Sequence, residues 1–439
     1  VTPTASFVAT LHPDYSNVEI DQQSISPTAF ARQYSEVRPF FTQAAQQFNV
    51  HLSCTNCPTL LYTPAIPTFR EGYAVEGSQG AFTFGAFDAL GEGRSDEAQS
   101  LNWTLQNAKE VVQVATQRVA VDTTTGIHDD VTAVSAGYFD QHTHVYEYVN
   151  EAQERGSLVT QSNLADYLEA GVGSAAPTQG YGVSYQRIGA QFSPIDGYVA
   201  QSDIEGLEYY YSRTINLSPT ATLRDVSASY FGNDQHDRFG APAQHNDSES
   251  VRFDFRNLTS VQFFAGYSAV KTADGEYLPF DGNGFNLGYR LNTSTPTYIQ
   301  YTGGPYYHGT LQAWTYSTSR QLTHNVRLSL ETDEDQYSSI FPGETRAVTW
   351  LERAGVNVQL NHDASFDLGV RRIFGTPIPN SYALPTFSPL GNNGNISAAF
   401  HYLRGANELY FVYGDPNSLS TTPALYLKWI RYIGAQKGT

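Results

Sequence analysis

Two cysteines, Cys54 and Cys57, stand three apart as Cys-Thr-Asn-Cys. No His follows Cys57, which excludes a c-type haem attachment, and no second pair exists to complete a zinc set. Thioredoxin-like chemistry places such a pair at the strand-to-helix junction of a βαβ unit, and no such pattern surrounds this one. In an oxidising envelope compartment the leading reading is a small structural disulfide, with redox and metal roles as its alternatives. His142-Thr143-His144 has the i, i+2 spacing that puts two imidazoles on one face of a strand, as metal ligands can be. Asp140 and Glu147 are its nearest partners in sequence. Asn233-Asp234-Gln235-His236-Asp237 and Asp281-Gly282-Asn283-Gly284 offer oxygen ligands for Ca²⁺, without the spacing of an EF-hand loop. Asp333-Glu334-Asp335 reads as a solvated loop. No nucleophile elbow, phosphate-binding loop or dinucleotide fingerprint stands in a suitable setting, so no catalytic residue is selected and an enzyme is the less favoured expectation.

The composition narrows the classes further. The 439 residues carry 25 basic and 43 acidic side chains, a formal charge of −18. Nucleic acid is excluded as a partner, because phosphate binding needs clustered Lys and Arg. Hydrophobic residues make up only 40 %, with a mean hydropathy of −0.37, yet aromatics reach 13 %, with 30 Tyr and 25 Phe. A tyrosine-rich, moderately polar chain suits strands with one face in lipid, one in water and aromatic girdles at the interfaces. The lack of Met and of a signal-peptide pattern is what a processed or truncated chain would show.

The elements that must position these residues are strands. Val356-Asn357-Val358-Gln359-Leu360-Asn361 alternates apolar and polar without a fault, as do residues 251–256, 285–292, 326–331 and 366–371. Strict period two means one face against something apolar and the other wet. The wet face here carries Arg252, Asp254, Arg256, Asp367 and Arg371, which points to a water-filled lumen or a plug contact. Residues 361–364 and 403–407 are hairpin turns, whereas 232–248, 332–345 and 375–395 read as long polar loops. Short turns on one rim and long loops on the other are the outer-membrane arrangement. The pattern predicts an all-β transmembrane antiparallel barrel of roughly 16–20 strands, spanning 72–439 and ending in an aromatic strand with Tyr426, Trp429 and Tyr432. The Pro-rich residues 1–71, with weak helical character over 29–48, form a separate plug or periplasmic segment. Residues 153–180 carry the weakest strand pattern, with a short helix near 164–168.

Four motifs carry a resemblance. His12-Pro13-Asp14-Tyr15-Ser16-Asn17-Val18-Glu19-Ile20-Asp21 and Ser35-Glu36-Val37-Arg38-Pro39-Phe40-Phe41 are similar to segments of a widespread family of envelope proteins. Leu61-Tyr62-Thr63-Pro64-Ala65-Ile66 and the run 185–199, with Phe192-Ser193-Pro194-Ile195-Asp196-Gly197-Tyr198-Val199, resemble two more. In that family a family-9-type carbohydrate-binding domain precedes a C-terminal outer-membrane barrel domain of unknown function. His12 replaces the usual Asn, and Ala65 and Pro64 replace an arginine pair. The resemblance implies a membrane barrel; the sugar-binding domain that precedes it in the family is not within this chain, whether cleaved or never present, so its function is not carried over, and family members labelled hydrolases supply no catalytic residues. Physically, Asp14, Glu19 and Asp21 can pair with lumen arginines, Arg38 among them, while Phe40 and Phe41 pack the plug.

The expected function is a porin-like passive channel in the bacterial outer membrane, with residues 1–71 as its plug. The alternatives are an anchor or scaffold for a carbohydrate-binding or other envelope protein, and an outer-membrane hydrolase. Outer-membrane lipid and lipopolysaccharide are the expected surroundings. No cofactor is expected beyond Ca²⁺ in extracellular loops; His142, His144, Asp234, Asp237 and Asp281 are the weak candidates for a metal of unspecified kind.

Overall fold

The computed structural model describes residues 4–11, 13, 25, 33, 36, 38–44, 47–48 and 57–431, with breaks at 273–274, 339–345, 377–392, 406 and 415–422. The first strand, β1 (Thr4–Leu11), is followed by an excursion through residues 12–70, whose described residues hold a short helix, α1 (Pro39–Ala44), and a 3-10 turn at Thr63–Ala65. Then come β2 (Glu71–Gln79), β3 (Phe82–Leu90), β4 (Arg94–Gln106), β5 (Glu110–Thr123), β6 (His128–Asp140), β7 (Val145–Gly156), β8 (Asp166–Ala176) and β9 (Gln179–Ile188). The series continues with β10 (Ile204–Asn216), β11 (Leu223–His236), β12 (Pro242–Phe255), β13 (Thr259–Lys271), β14 (Tyr277–Pro279), β15 (Asn283–Tyr289) and β16 (Thr297–Tyr306). It ends with β17 (Gly309–Thr323), β18 (Val326–Ser338), β19 (Ala347–Asn361), β20 (Ala364–Gly375), β21 (Asn393–Arg404), β22 (Asn407–Tyr413) and β23 (Leu425–Arg431). Each strand pairs antiparallel with the next, except that the three-residue β14 lies beside β13 while the ladder passes from β13 directly to β15. β1 and β23 are the two ends of this sheet among the described residues. No helix among them is long and apolar enough to cross a membrane.

The two faces of the sheet are inverted relative to a water-soluble domain. Val114, Val134, Phe263, Leu287, Trp314 and Leu368 are exposed, whereas Asp96, Asn150, Glu169, Gln186, Asn233 and Asp335 are buried. Both sets follow from the period of two. On β5, for example, Val112 and Val114 point outward between the inward Gln113, Ala115 and Gln117. Phe285, Tyr301 and Trp314 sit side by side on the outward face, with ring centroids 4.6 to 6.1 Å apart.

The covered face must curl. Ile25 packs on Leu351 of β19 and Ile373 of β20, while Phe40 packs on Phe87 of β3. In a flat sheet β3 and β19 would lie roughly 70 Å apart at ~4.8 Å per strand. The chain from residue 25 to residue 40 reaches at most about 54 Å when fully extended. The sheet therefore curves, and the described residues of the excursion between β1 and β2 lie against its covered face.

The rims differ as expected. Residues 80–81, 177–178, 324–325 and 362–363 make tight turns at one end, and 157–165, 189–203, 376–392 and 414–424 make the connections at the other. The excursion 12–70 leaves and rejoins the sheet at that second, long-connection rim. Inward residues near this rim are buried, such as Asn150, Ala152 and Glu154 on β7, whereas Tyr146 toward the short-turn rim is half-buried. Outward residues show the matching asymmetry. Leu105, Val172, Tyr181, Ile215 and Leu360 lie toward the short-turn rim, and Arg118 bonds Asp130 2.5 Å away toward the other.

Several expectations change. The sheet begins at Thr4, so residues 4–11 are a strand of the wall rather than part of a separate segment. The strands number 23 among the described residues, above the predicted 16–20. Asp333-Glu334-Asp335 is not a loop: it lies in β18, with Asp333 and Asp335 facing the covered interior. Likewise β11 runs to His236 and β12 starts at Pro242, within the stretch 232–248 read as a loop. Residues 166–176 are a strand preceded by a single 3-10 turn at Ser162–Leu164.

Candidate functional site

The excursion is held by its own aromatic anchor. Phe40, Phe41, Phe48, Leu61, Ile66 and Phe69 pack on Ala74, Phe87, Ala89, Ala98 and Val119 of β2–β5. Small inward residues on the wall make room for the rings, which meet edge to face at 5.1 to 6.3 Å. Burial of each such ring stabilises by about 1.5–3 kcal/mol. Arg38 organises this anchor. Its guanidinium pairs with Glu36 at 2.7 Å, donates from Nη1 to the Ile66 carbonyl at 2.9 Å and from Nη2 to the Thr63 carbonyl, and lies 4.5 Å over the Phe41 ring. The Glu36 carboxyl is burdened by burial, but the bonds from Arg38 outweigh this and hold it below the usual range. Arg38 thus binds its own segment. Asp14, Glu19 and Asp21, its expected partners, lie outside the described residues.

A second element clasps the excursion from the wall side. The β9–β10 connection, residues 189–203, folds over the interior and inserts Phe192, fully buried, beside Leu60, Val131, Ala152, Tyr167 and Ile204. Its backbone is fastened to wall carboxylates: Ser193 N–H donates to Glu154 Oε2 at 2.6 Å and Ile195 N–H to Asp129 Oδ2 at 2.8 Å. Arg94 of β4 bridges two acids, with Asp96 and Asp196 both 2.5 Å away. The connection then pairs with the excursion like a short ladder. Thr59 and Tyr198 exchange both backbone hydrogen bonds, at 2.9 and 2.8 Å, and Tyr62 N–H donates to the Asp196 carbonyl at 2.6 Å. Gly197 permits this approach, since a Cβ there would stand 2.7 Å from the Pro194 side chain and 3.0 Å from the Thr59 carbonyl.

One guanidinium between two buried carboxylates leaves the trio short of positive charge. Burial, then the Asp96 charge, push the Asp196 carboxyl up to about 8 against the pull of Arg94. Asp196 therefore holds a proton in the clasped state that it lacks when unfolded, where its pKa is about 3.9. A raised carboxyl contributes its stability fully below the unfolded pKa and loses it as pH rises through the folded one. We expect the clasp to loosen progressively as pH rises from about 4 and to level off above about 8. Hydrogen-exchange protection of the Ser193 and Ile195 amides should fall between about pH 5 and pH 8 in the wild type, and Asp196→Asn should flatten that dependence. Protection that is equally flat in both would overturn it.

Next to the clasp is a second buried polar group. Tyr148 and Tyr167 donate to the two oxygens of Glu169, at 2.5 and 2.6 Å. The sulfur of Cys57 lies 2.8 Å from the Tyr167 hydroxyl and 3.2 Å from Glu169. Cys54 lies outside the described residues, and the expected disulfide with it.

The other sequence candidates are dispersed. Arg252 and Asp254 share the inward face of β12 and bond each other at 2.9 Å. Asp367 accepts from Asn357 at 2.6 Å, and Arg371 faces inward opposite Arg353 and Asn395. Arg256 is not a wall residue. The strand stops at Phe255, and the Arg256 guanidinium donates to the Ala221 and Ser218 carbonyls of the adjacent turn, at 2.8 and 3.0 Å. His142 and His144 sit at a short turn instead of on one strand face, where Asp140 accepts from the His142 N–H at 2.8 Å. Asp237 accepts from Phe239 and Ala241 N–H at 2.9 Å each and pairs with Lys271 at 2.7 Å. Lys271 and those N–H groups hold its carboxyl down at about 2. Asp281 braces the Ser268 amide at 2.6 Å, and Asp234 lies outward, 3.8 Å from His245. No group of three or more His, Cys, Asp or Glu that could hold a metal ion forms among the described residues. Arg94, Asp96, Asp129, Glu154, Glu169 and Asp196 were not singled out from sequence as site residues. The Phe192–Val199 motif marked the clasp, but nothing local ties Asp196 to an arginine far back in the chain.

No protein-family model matches the chain, and no curated protein matches it. Among solved structures it is similar to the siderophore receptor PirA from Acinetobacter baumannii, at 10 % identity over 82 % of this chain and 72 % of that one, with a TM-score of 0.46. It is also similar to the copper transporter OprC, at 8 % identity over 82 % and 68 % of the two chains, TM-score 0.44. A third is the ferric citrate transporter FecA in the unliganded form, at 10 % identity over 83 % and 68 %, TM-score 0.39.

Proposed function

We propose that this chain is a transport protein of the bacterial outer membrane, a β-barrel whose passage is controlled by residues 12–70 acting as an internal plug. The observation that carries the reading is the inversion of the two sheet faces. Exposed Val114, Phe263, Leu287 and Trp314 on the outside, against buried Asp96, Glu169 and Asn233 on the inside, suit a wall between lipid and water and would be costly in a soluble protein. Most of the strands, at 9 to 15 residues, are long enough to cross a bilayer when tilted. Meanders of this many strands enclose a lumen wide enough to need filling, and the excursion reaches β2–β5, β6–β12 and β19–β20.

The plug of this proposal is an inward-folded connection. β1 leads into it and β2 leads out of it at the long-connection rim, so both of its ends are tethered to the wall. That favours a gated passage over the permanently open, porin-like channel. Pairing of Cys54 with Cys57 belongs to the same reading and would stiffen the plug where it meets Tyr167 and Glu169.

Planar-bilayer recording of the purified full-length chain tests this. Small, flickering conductance is expected in the wild type. Phe40→Asp, which places a charge in the aromatic anchor, should give long, several-fold larger openings. A chain that stays monodisperse without detergent and shows no heat-modifiable gel migration would overturn the membrane reading. Equal conductance in wild type and variant would overturn the plug.

A further inference from the structure

The short-turn half of the interior has a chemistry of its own. There the inward positions of β13–β16 form a ladder of amides and hydroxyls. Asn286 Nδ2 donates to Gln262 Oε1 at 3.2 Å, and the Tyr298 hydroxyl donates to Asn286 Oδ1 at 3.2 Å and to Gln300 Oε1. Gln300 Nε2 in turn donates to Thr302 Oγ1 at 3.1 Å. These side chains are half-buried, and they lie on the face opposite the outward Phe285, Tyr301 and Trp314. The belt continues round the wall through Ser229 and Ser250 at 2.9 Å, and Thr214 and Ser227 at 3.0 Å. It ends in two tyrosines. The Tyr146 hydroxyl donates to that of Tyr210 at 3.0 Å. Both lie over Gly182, where a Cβ would stand 2.4 Å from the Tyr146 oxygen and 2.7 Å from the Tyr210 ring. The rings therefore rest along the wall.

Charge is nearly absent from this belt, and what there is is neutralised locally. Arg252 and Asp254 are 2.9 Å apart, and Asp225 is held by Arg224 at 2.6 Å. The neighbouring wall differs, with Glu331 bonded to Arg353 and with Asp333 and Arg371 on β18–β20.

We infer that this belt is a binding track for neutral polyhydroxylated solutes, oligosaccharides being the chemical class it fits. An amide or hydroxyl both donates and accepts, as a sugar hydroxyl does, and each ladder member keeps bonding capacity beyond its neighbour contact. An ion passing the same wall would shed water with no net charge to compensate it. The ring faces of Tyr146 and Tyr210 supply the flat apolar surface that the C–H face of a pyranose needs. Many weak, similar contacts in sequence are what a conducting path requires. This names the solute for the passage proposed above and rests on that reading of the interior.

Calorimetric titration of the detergent-purified full-length chain tests it. The probes are maltohexaose, hexagalacturonate as its anionic counterpart and a glucosamine hexamer as its cationic one. Maltohexaose should bind at least fivefold more tightly than either. Asn286→Leu combined with Gln300→Leu should weaken it at least fivefold, and Phe263→Leu on the outward face should leave it unchanged. If the double variant fails to show heat-modifiable migration, Thr214→Val with Ser227→Ala makes the same test with little change of volume. Absence of maltohexaose binding, equal or tighter binding of a charged hexamer, or unchanged binding in a folded belt variant would overturn the track. Titration needs no open pore, so binding without conductance would sink the gated passage alone, and conductance without binding would sink the track alone.

Discussion

Arg94→Ala should release the clasp and open the interior. Arg94 stands between Asp96 and Asp196, whose side chains are 2 % and 1 % exposed. Removing the cation from a buried ionic group costs about 3–5 kcal/mol, because the remaining charge has neither water nor a partner. Here the penalty depends on pH. While Asp196 holds its proton, the variant keeps one buried negative charge; losing Arg94 raises Asp196 beyond its wild-type value of about 8, so the variant must hold a proton that the wild type has already released. The loss should therefore be largest at alkaline pH. In planar bilayers the variant should show several-fold higher mean conductance than the wild type, and proteinase K should nick residues 189–203 within minutes. Arg94→Lys should fall between, since an ammonium lacks the planar fork that reaches both acids. Wild-type conductance together with wild-type protease resistance in Arg94→Ala would remove this trio from the gating mechanism.

Val114→Arg should hinder folding into lipid vesicles, whereas Gln113→Arg, one residue away, should not. Val114 is 43 % exposed on the outward face, beside Trp103 and Ala136 in the strand register. Arg on the lipid face near the bilayer midplane costs about 2–4 kcal/mol. Gln113 points inward toward the half-buried interior, where a guanidinium keeps its water. Urea titration of vesicle-reconstituted protein, with heat-modifiable migration as the folded signal, separates the two. Equal costs would mean that the outward face does not meet lipid. The reverse order, with Gln113→Arg the costly change, would mean a dry core on the inward side.

How much of this was legible depends on how far apart in sequence the cause and its effect lie. Alternation such as Val356 to Asn361 and the hairpin at residues 361–364 are local, and both stand in β19 and β20 as read. The inward placement of Arg252, Asp254, Asp367 and Arg371 follows from the same period of two. The misread loops at 232–248 and 332–345 share one origin. Polar residues were read as solvent-facing loops, yet in an inverted sheet a polar residue is what the interior accepts. Asp333 and Asp335 are therefore strand residues with buried side chains. Arg256 misled in the opposite way: it kept the period of two beyond the point where turn carbonyls captured its guanidinium.

The sequence by itself determined that the chain is an antiparallel sheet with one apolar and one polar face, because backbone pleat and side-chain type act over two to eight residues. Only the tertiary structure decided that Thr4–Leu11 belongs to that sheet, since a strand of eight residues gains its hydrogen bonds from a partner 60 to 74 positions away. It alone brought Arg94 to Asp196, Cys57 to Tyr167 and Ile25 to Leu351. Those contacts join segments far apart in the chain, and their energies depend on burial that no short stretch of sequence contains.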